Sequence, residues 1–238
     1  NNSAVKHTKN LSKILKICYH NNWIEKDLVI FYKGRFNEVN VNFLTDEELS
    51  SIREKEFSGK GLELVRDMFV FSCYTGLAYI DIFNLTKDQL SKGIDGNLWI
   101  ITNRQKTGST SNIPLLPVAE EIIKKYENHP VSSNSGKLLP VYTNQKVNEY
   151  LKTIAENCGI NKKLTFHCAR HTFATTVTLG NNVSMESVSK MLGHKSIKTT
   201  QHYAKILDSK VSQDMGSLKL VLEKKNEVQK ENDKKLGS

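Results

Sequence analysis

Apolar positions recur at the spacing of amphipathic helices in several segments of the chain. The first segment lies within residues 10–30 and carries Leu11, Ile14, Leu15, Cys18 and Tyr19 at helical spacing. A capping box formed by Thr45 and Glu48 predicts where the next helix begins. Residues 62–74 are apolar nearly all round, which predicts a buried helix that Gly76 ends in a left-handed conformation. Four more helices are predicted over residues 118–126, 143–158, 165–179 and 184–192, the last three ending at Gly159, Gly180 and Gly193.

One stretch between these helices has the pattern of a β-hairpin. Residues 98–101 and 112–115 predict two strands, and Thr107-Gly108 predicts the turn between them. Asp95-Gly96 is a turn signal before the first strand. The predicted fold class is therefore mainly α with a small antiparallel β-sheet (α+β).

The pattern divides the chain into three regions. Residues 1–40 hold an amphipathic helix and a polar linker, with little of their own to pack against. Residues 41–215 hold the predicted core of helices and hairpin. In residues 216–238, Lys and Glu alternate around a few apolar positions, which predicts a marginal helix that frays or docks on another surface.

Composition and charge favour some partners over others. The 34 Lys and Arg against 25 Asp and Glu give a formal charge of +9, which favours a polyanion such as nucleic acid. No apolar run approaches the roughly 20 residues of a membrane helix, so no membrane partner is expected. The four cysteines have no paired spacing, so we expect a reducing, cytoplasmic location.

A histidine and an arginine on one predicted helix suggest phosphate chemistry. His167 and Arg170 are three residues apart and share a face, where a guanidinium fork and an imidazole suit a phosphate. The plainer interpretation is a solvated helix face. His167 and His171 have the i, i+4 spacing of metal ligands, but the glutamate of HExxH and a third ligand are absent, so no metal site is predicted. We interpret His171 as a core histidine that hydrogen-bonds the backbone.

Further polar side chains stand at predicted turns and links. His194 follows Gly193 at a helix end, and a short Thr-rich link then carries Tyr203. Arg104 and Lys106 lie at the hairpin tip, where strand alternation would point both to one side. Taken singly, such residues are usually solvated charge or a half-buried tyrosine.

The order of these motifs is more specific than any one of them. The chain reads TGLAYIDI (75–82), KTG (106–108), HCARHTFAT (167–175) and LGH (192–194), with Tyr203 nine residues after His194. This series resembles the tyrosine recombinases, in particular the integrases of phages and conjugative transposons. The resemblance covers roughly residues 41–210 and implies that residues 41–215 are the catalytic domain. Residues 1–40 would be a C-terminal remnant of the core-binding domain.

The resemblance implies a reaction that needs no metal or other cofactor. Tyr203 matches the nucleophile that attacks the scissile phosphate, leaving a 3′-phosphotyrosine and a free 5′-hydroxyl. Lys106 matches the lysine that protonates the leaving 5′-oxygen. His167 matches a residue close to the nucleophile, a candidate proton acceptor.

The resemblance also implies how the phosphate is held. Arg170 and His194 match residues that bind the non-bridging oxygens, and Asp81 matches an acidic position that orients its neighbours. The chain departs from the family at Ala78, where a first catalytic arginine normally stands. We predict that Arg104 supplies the missing guanidinium from the hairpin, with Arg66, Arg53 and Arg35 as weaker candidates.

The function implied is that of a site-specific recombinase acting on double-stranded DNA. Such an enzyme would assemble as a tetramer on DNA, with residues 216–238 exchanged between subunits and accessory DNA-bending proteins as further partners. Two alternatives stay open. One is a catalytically impaired DNA-binding protein on the same scaffold, which Ala78 alone favours. The other is a type IB-like topoisomerase, disfavoured because the amphipathic tail suits subunit exchange.

Overall fold

A computed structural model gives the structure of the protein and describes residues 2–29, 34–37, 41–204, 215–216 and 218–219. The chain forms two units, Asn1–Val41 and Asn42–Ser238. The predicted helix of the tail, residues 216–238, falls almost entirely outside the described residues. Among the described residues, none of the helices combines the length and apolar character that a membrane-spanning segment needs.

The first unit is built on helix α1 (Asn2–His20). This helix begins before the apolar spacing that predicted it and ends well before residue 30, and Asn22 follows it with a φ of 56°. None of its residues is buried, and Leu11, Ile14 and Ile17 are more than half exposed. The apolar face that the sequence predicts is therefore present but uncovered.

The second unit begins with two helices, and the sequence correctly predicted where the first begins and where the second ends. Helix α2 (Asp46–Glu54) starts at the capping box of Thr45 and Glu48, and buries Leu49 and Ile52. Helix α3 (Lys60–Thr75) ends at Gly76, which has a φ of 69°. A Cβ on Gly76 would lie 2.5 Å from the Phe173 ring, so both the conformation and the close approach require glycine here.

The remaining helices of the described residues follow in chain order. They are α4 (Tyr79–Asn84), α5 (Pro117–Tyr126), α6 (Pro130–Ser135), α7 (Asn144–Asn157), α8 (Phe166–Thr172), α9 (Met185–Met191) and α10 (Ile197–Ala204). Helices α4 and α6 were not predicted, because six residues are too few to show a helical period.

The hairpin is part of a three-stranded antiparallel sheet of order β1 (Leu90–Lys92), β2 (Leu98–Asn103) and β3 (Thr110–Pro114). Ile100 in β2 lies opposite Leu90 and Ile113, and the buried face of β2 alternates with exposed Ile101. Strand β1 was missed because three residues show no alternation. The Ser111 hydroxyl donates to the carbonyl of Met191, which fixes β3 against the end of α9. The predicted class, mainly α with a small antiparallel sheet, is confirmed.

The segment after α8 differs from its prediction. The predicted helix of residues 165–179 is α8 followed by a π-helical turn, Phe173–Thr178, and a 3₁₀ turn, Leu179–Asn181. The left-handed residue that ends it is Asn182, not Gly180. Asparagine tolerates this conformation better than other side chains with a Cβ, which explains the later stop.

Two hydrophobic clusters hold the second unit together. In the larger, α3 packs against α2, α5, α7 and α8, with Phe69 edge-on to Phe166. The smaller joins the π turn, α9 and α10 through Phe173, Ala174, Leu179, Val188, Leu192 and Tyr203. The ring of Tyr203 therefore belongs to a cluster beside the main core.

Candidate active site

All six side chains predicted to take part in chemistry line one cleft of about 360 Å³. We call it the cationic cleft, and its defining residues are Arg104, Lys106, His167, Arg170, His194 and Tyr203. They come from the hairpin turn, α8, the link after α9, and α10. Segments that are up to a hundred residues apart in sequence thus meet at one place.

Arg170 is fixed at the base of the cationic cleft. Its side chain is 3% exposed and donates to the carbonyls of Gly76 at 2.6 Å and Leu192 at 2.5 Å. Burial, and after it the charge of Arg104, lowers the pKa of Arg170 to about 10, which leaves the guanidinium charged at pH 7. The buried cation is thus held by backbone oxygens and has no carboxylate among its hydrogen-bond partners in the described residues.

His194 is bonded on both ring nitrogens. Its Nε2 lies 3.3 Å from an Arg170 nitrogen, and its Nδ1 lies 2.9 Å from the Thr200 hydroxyl. Because arginine only donates, Nε2 accepts, and the neutral ring carries its proton on Nδ1. Burial first, then the charges of Arg170 and Arg104, lowers the pKa of His194 to about 4.

Tyr203 lies on α10 and not on an irregular link, which corrects the sequence-based expectation. Its ring is 6% exposed and stacks at 10° on the His194 ring. Burial raises the pKa of Tyr203 above its ordinary value of 10, although Arg170 and Arg104 act in the opposite direction. The hydroxyl therefore keeps its proton at pH 7.

His171 is the residue that sequence reasoning misjudged. Its Nδ1 lies 3.0 Å from the Tyr203 hydroxyl, so its side chain serves the candidate nucleophile and not the backbone. Burial, followed by the charges of His167, Arg170 and His202, lowers the pKa of His171 to about 4. Its ring meets that of His167 edge-on at 4.3 Å. The only signal in the sequence was its position next to Arg170, since the contact spans 32 residues.

His167 faces the cationic cleft from the first turns of α8. Burial lowers the pKa of His167, and the charges of Arg170, Lys106 and Arg104 lower it further. Its neutral ring can therefore donate to an anion or accept a proton.

Arg104 and Lys106 lie in the hairpin turn and not on a strand, because β2 ends at Asn103. Strand alternation therefore does not explain why both line the cleft. The turn instead closes through the amide of Gly108, which donates to the Arg104 carbonyl at 2.8 Å. The carboxylate of Asp81 accepts from the Gln105 amide at 3.1 Å and ties this turn to α4.

The side chain of Arg104 passes directly over Gly193. A Cβ on Gly193 would lie 2.7 Å from Cδ of Arg104, and Gly193 has a φ of 58°. Within the part of the chain that the structure describes, the Nε of Arg104 is buried and has no hydrogen-bond partner. Buried donors are normally satisfied, so an unpaired one beside Arg170 favours an anion as its partner.

The described side chains of the cationic cleft suit a phosphate better than a metal. Two arginines, two lysines (Lys106 and Lys195) and two histidines line the cleft together with Tyr203. Nowhere in residues 2–29, 34–37, 41–204, 215–216 and 218–219 does a group of three His, Cys, Asp or Glu side chains form a metal site.

Comparison with known proteins decides the family. The model of the phage integrase family matches residues 42–210, well over half of the chain. The chain belongs to the phage integrase family.

Relatives within this family are tyrosine recombinases. The chain is 30% identical over 172 residues to tyrosine recombinase XerD of Lacticaseibacillus casei, covering 67% of this chain and 57% of the relative. It is 29% identical over 170 residues to XerC of Rickettsia canadensis, covering 67% and 50%. The chain thus spans about half the length of the curated relatives it matches.

Solved structures of the family share the fold. Lambda integrase bound to DNA superposes with a TM-score of 0.65 at 19% identity, covering 82% of this chain and 71% of the other. The XerA recombinase gives 0.60 at 20% identity, covering 87% and 73%. A tyrosine-recombinase catalytic fold is therefore confirmed.

Residue 78 is the position at which the chain departs from the motif series. Ala78 is the N-cap of α4, where the resemblance leads us to expect an arginine. The tie between Asp81 of α4 and Gln105 brings the turn that carries Arg104 to this helix.

Proposed function

We propose that this chain is the catalytic part of a site-specific recombinase that cleaves and rejoins double-stranded DNA through a phosphotyrosine at Tyr203. The observation that carries the proposal is the convergence of the six side chains on the cationic cleft, with the Tyr203 hydroxyl beside them. The site then needs no metal and no other cofactor, because the ester to Tyr203 keeps the energy of the broken bond.

In this proposal, Arg170 and His194 bind the non-bridging oxygens of the scissile phosphate. Arg170 is held in place by two carbonyls before any DNA arrives, so little reorganisation is needed when charge develops on the oxygens. The negative phosphate raises the pKa of His194, which turns its Nε2 from an acceptor for Arg170 into a donor for DNA.

Arg104 supplies the second guanidinium in place of the arginine missing at Ala78. Three observations support this role: its side chain lies over Gly193, its Nε is buried without a partner among the described residues, and its charge lowers the pKa of Arg170. A phosphate between the two guanidinium groups would relieve their repulsion.

Lys106 protonates the leaving 5′-oxygen, and His167 lies beside the nucleophile as the resemblance implies. Lys106 is exposed in the hairpin turn and lines the cleft, so it can approach an oxygen at the cleft mouth. Asp81 acts through the backbone of that turn and is a positioning residue.

The partners are proposed from relatives. Similar solved structures include a lambda integrase dimer bound to a core site and a Tn1549 transposon integrase in complex with a circular intermediate DNA. We infer that this chain acts likewise on DNA in the cytoplasm, as a tetramer, for a phage or conjugative element, with accessory DNA-bending proteins. Residues 1–40 are then the end of a core-binding domain, 41–215 the catalytic domain, and 216–238 a tail exchanged between subunits.

The test is a nicked DNA that carries the core site and traps the covalent product. Wild-type protein should form an adduct that survives denaturation, and Tyr203→Phe should form none while binding DNA nearly as well. Tyr142→Phe, at a half-buried tyrosine outside the cationic cleft, is the matched control and should behave as wild type.

Each other outcome has a definite meaning. An adduct with Tyr203→Phe removes Tyr203 as nucleophile. Binding of wild-type protein without an adduct favours the impaired DNA-binding protein, and relaxation of supercoiled DNA that lacks the core site favours a topoisomerase.

A further inference from the structure

The hydroxyl of Tyr203 has a neighbour that the family resemblance does not assign. The Nδ1 of His171 lies 3.0 Å from it, and among the described residues this is the hydroxyl's hydrogen bond. The distance is within the range in which a side chain can remove a proton. His171 is not part of the cleft lining, so it approaches the oxygen from the protein side while a phosphate would approach from the cleft.

We propose that His171, and not His167, accepts the phenolic proton of Tyr203 as the phosphate is attacked. The proposal rests on the function proposed above. The Oη–H bond of Tyr203 breaks and its proton passes to Nδ1 of His171. The Oη electron pair forms the bond to phosphorus, the bond from phosphorus to the 5′-oxygen breaks, and that oxygen takes a proton from Lys106.

The fold holds the His171 ring for this task. The residue lies on α8 directly after Arg170, whose two carbonyl bonds fix the helix, and its own carbonyl accepts from the Thr175 hydroxyl at 2.8 Å. The His167 ring packs edge-on against it at 4.3 Å. The two histidines, one helical turn apart, thus have different roles: His167 faces the phosphate, and His171 accepts the proton of Tyr203.

Burial first, and then the charges of His167, Arg170 and His202, keep His171 neutral before DNA binds. The charged and titratable groups that face it are His167 and Arg170 on α8, and His202 and Tyr203 on α10. With a pKa lowered to about 4, the ring is in its acceptor form throughout the neutral range. An arriving phosphate raises the pKa of the ring, which favours transfer of the proton at the moment of attack.

The decisive experiment isolates loss of the Tyr203 proton from protonation of the leaving group. A nicked core-site DNA with a 5′-bridging sulfur has a leaving group that needs no proton, so its pH profile does not depend on Lys106. Cleavage by wild-type protein at sub-saturating concentration, where the pH profile reports groups of the DNA-free protein, should change less than about threefold from about pH 6 to about pH 9, because His171 is unprotonated in the DNA-free protein over this range.

Two matched variants separate the histidines. In His171→Asn, the amide can hydrogen-bond Tyr203 from a position near that of Nδ1 but cannot take its proton. Cleavage should fall about 100-fold near neutral pH and rise about tenfold per pH unit, because the reaction then needs the free phenolate. His167→Asn should be slower but keep the flat profile. Thermal melting and DNA binding of both variants check that they fold.

The outcomes that overturn the proposal do not coincide with failure of the proposed function. If wild-type protein forms no adduct, the recombinase function fails. If wild-type protein cleaves but its own profile rises about tenfold per unit, or His171→Asn cleaves like wild type, the assignment of His171 is wrong. If His167→Asn alone gains the slope, His167 is the acceptor. The wild-type profile tests the role of His171 even if a variant does not fold.

Discussion

Helix α8 and the hairpin turn each place one guanidinium group in the cationic cleft, but the two groups are held differently. Arg170, on α8, is buried and donates to two backbone carbonyls before any substrate is present. Arg104, in the turn after β2, leaves its buried Nε without a partner in the described part of the chain. The guanidinium of Arg170 is held by hydrogen bonds within the fold, whereas that of Arg104 has a buried donor that an anion could satisfy.

If Arg104 takes the place of the arginine missing at Ala78, as we propose, the difference explains how a family position can be lost without loss of the site. An arginine at position 78 would start α4, whereas Arg104 reaches the cleft from the turn that Asp81 of that helix holds. In the proposed site the charge would come from a neighbouring backbone segment. The proposal therefore defines the site by the side chains that meet at the phosphate and not by the segment that carries each one.

The largest expected difference is in the stability of the Arg170→Ala and Arg104→Ala variants. Arg170→Ala leaves the Gly76 and Leu192 carbonyls without their donors, and an unsatisfied buried group costs about 1–3 kcal/mol, so the free energy of unfolding should fall by several kcal/mol. Arg104→Ala should leave it unchanged or slightly higher, because a repulsion on Arg170 is removed. Urea denaturation of the DNA-free proteins measures both, and equal losses would break the comparison.

A second effect concerns the other cation of the turn. Lys106→Ala should cleave ordinary DNA roughly 100-fold more slowly than wild type, as expected for loss of a general acid. On DNA with a 5′-bridging sulfur, the same variant should cleave nearly as fast as wild type. Equal impairment on both substrates would assign Lys106 to phosphate binding.

A smaller effect on the cleavage rate should follow from loss of the hydrogen bond between the hairpin turn and α4. Asp81→Ala removes the acceptor of the Gln105 amide, and a hydrogen bond to a charged group lost at the site should slow cleavage by about tenfold. Asp81→Asn keeps an acceptor oxygen and should stay within about threefold of wild type. Single-turnover rates at saturating protein measure the difference, and a slower Asn variant would show that the charge of Asp81, and not its position, matters.

Many helix ends and the hairpin could be predicted from the sequence, because residues close together in the chain determine them. The capping box at Thr45, the left-handed Gly76 and the hairpin around Thr107-Gly108 are each determined by neighbouring residues. The order of the motifs likewise identified five residues that the fold brings to one cleft, and the departure at Ala78 led to the sixth, Arg104.

The parts that could not be predicted depend on short elements or distant contacts. Helix α10 is polar apart from a few positions, so the segment that carries Tyr203 resembled a link. The bond from His171 to Tyr203 joins residues of two helices, and no spacing in the sequence encodes it. Tertiary packing decides both.

The most direct test of the central claim is cleavage by Arg104→Ala on the nicked core-site DNA. We expect loss of the adduct by roughly 100-fold or more, as for removal of one donor to a developing oxyanion, with only a slight fall in DNA binding. Arg53→Ala, at an exposed arginine outside the cleft, should cleave as wild type. Adding Ala78→Arg to the Arg104→Ala protein should restore part of the activity, because it returns a guanidinium to the phosphate. Cleavage by Arg104→Ala at the wild-type rate would contradict the claim.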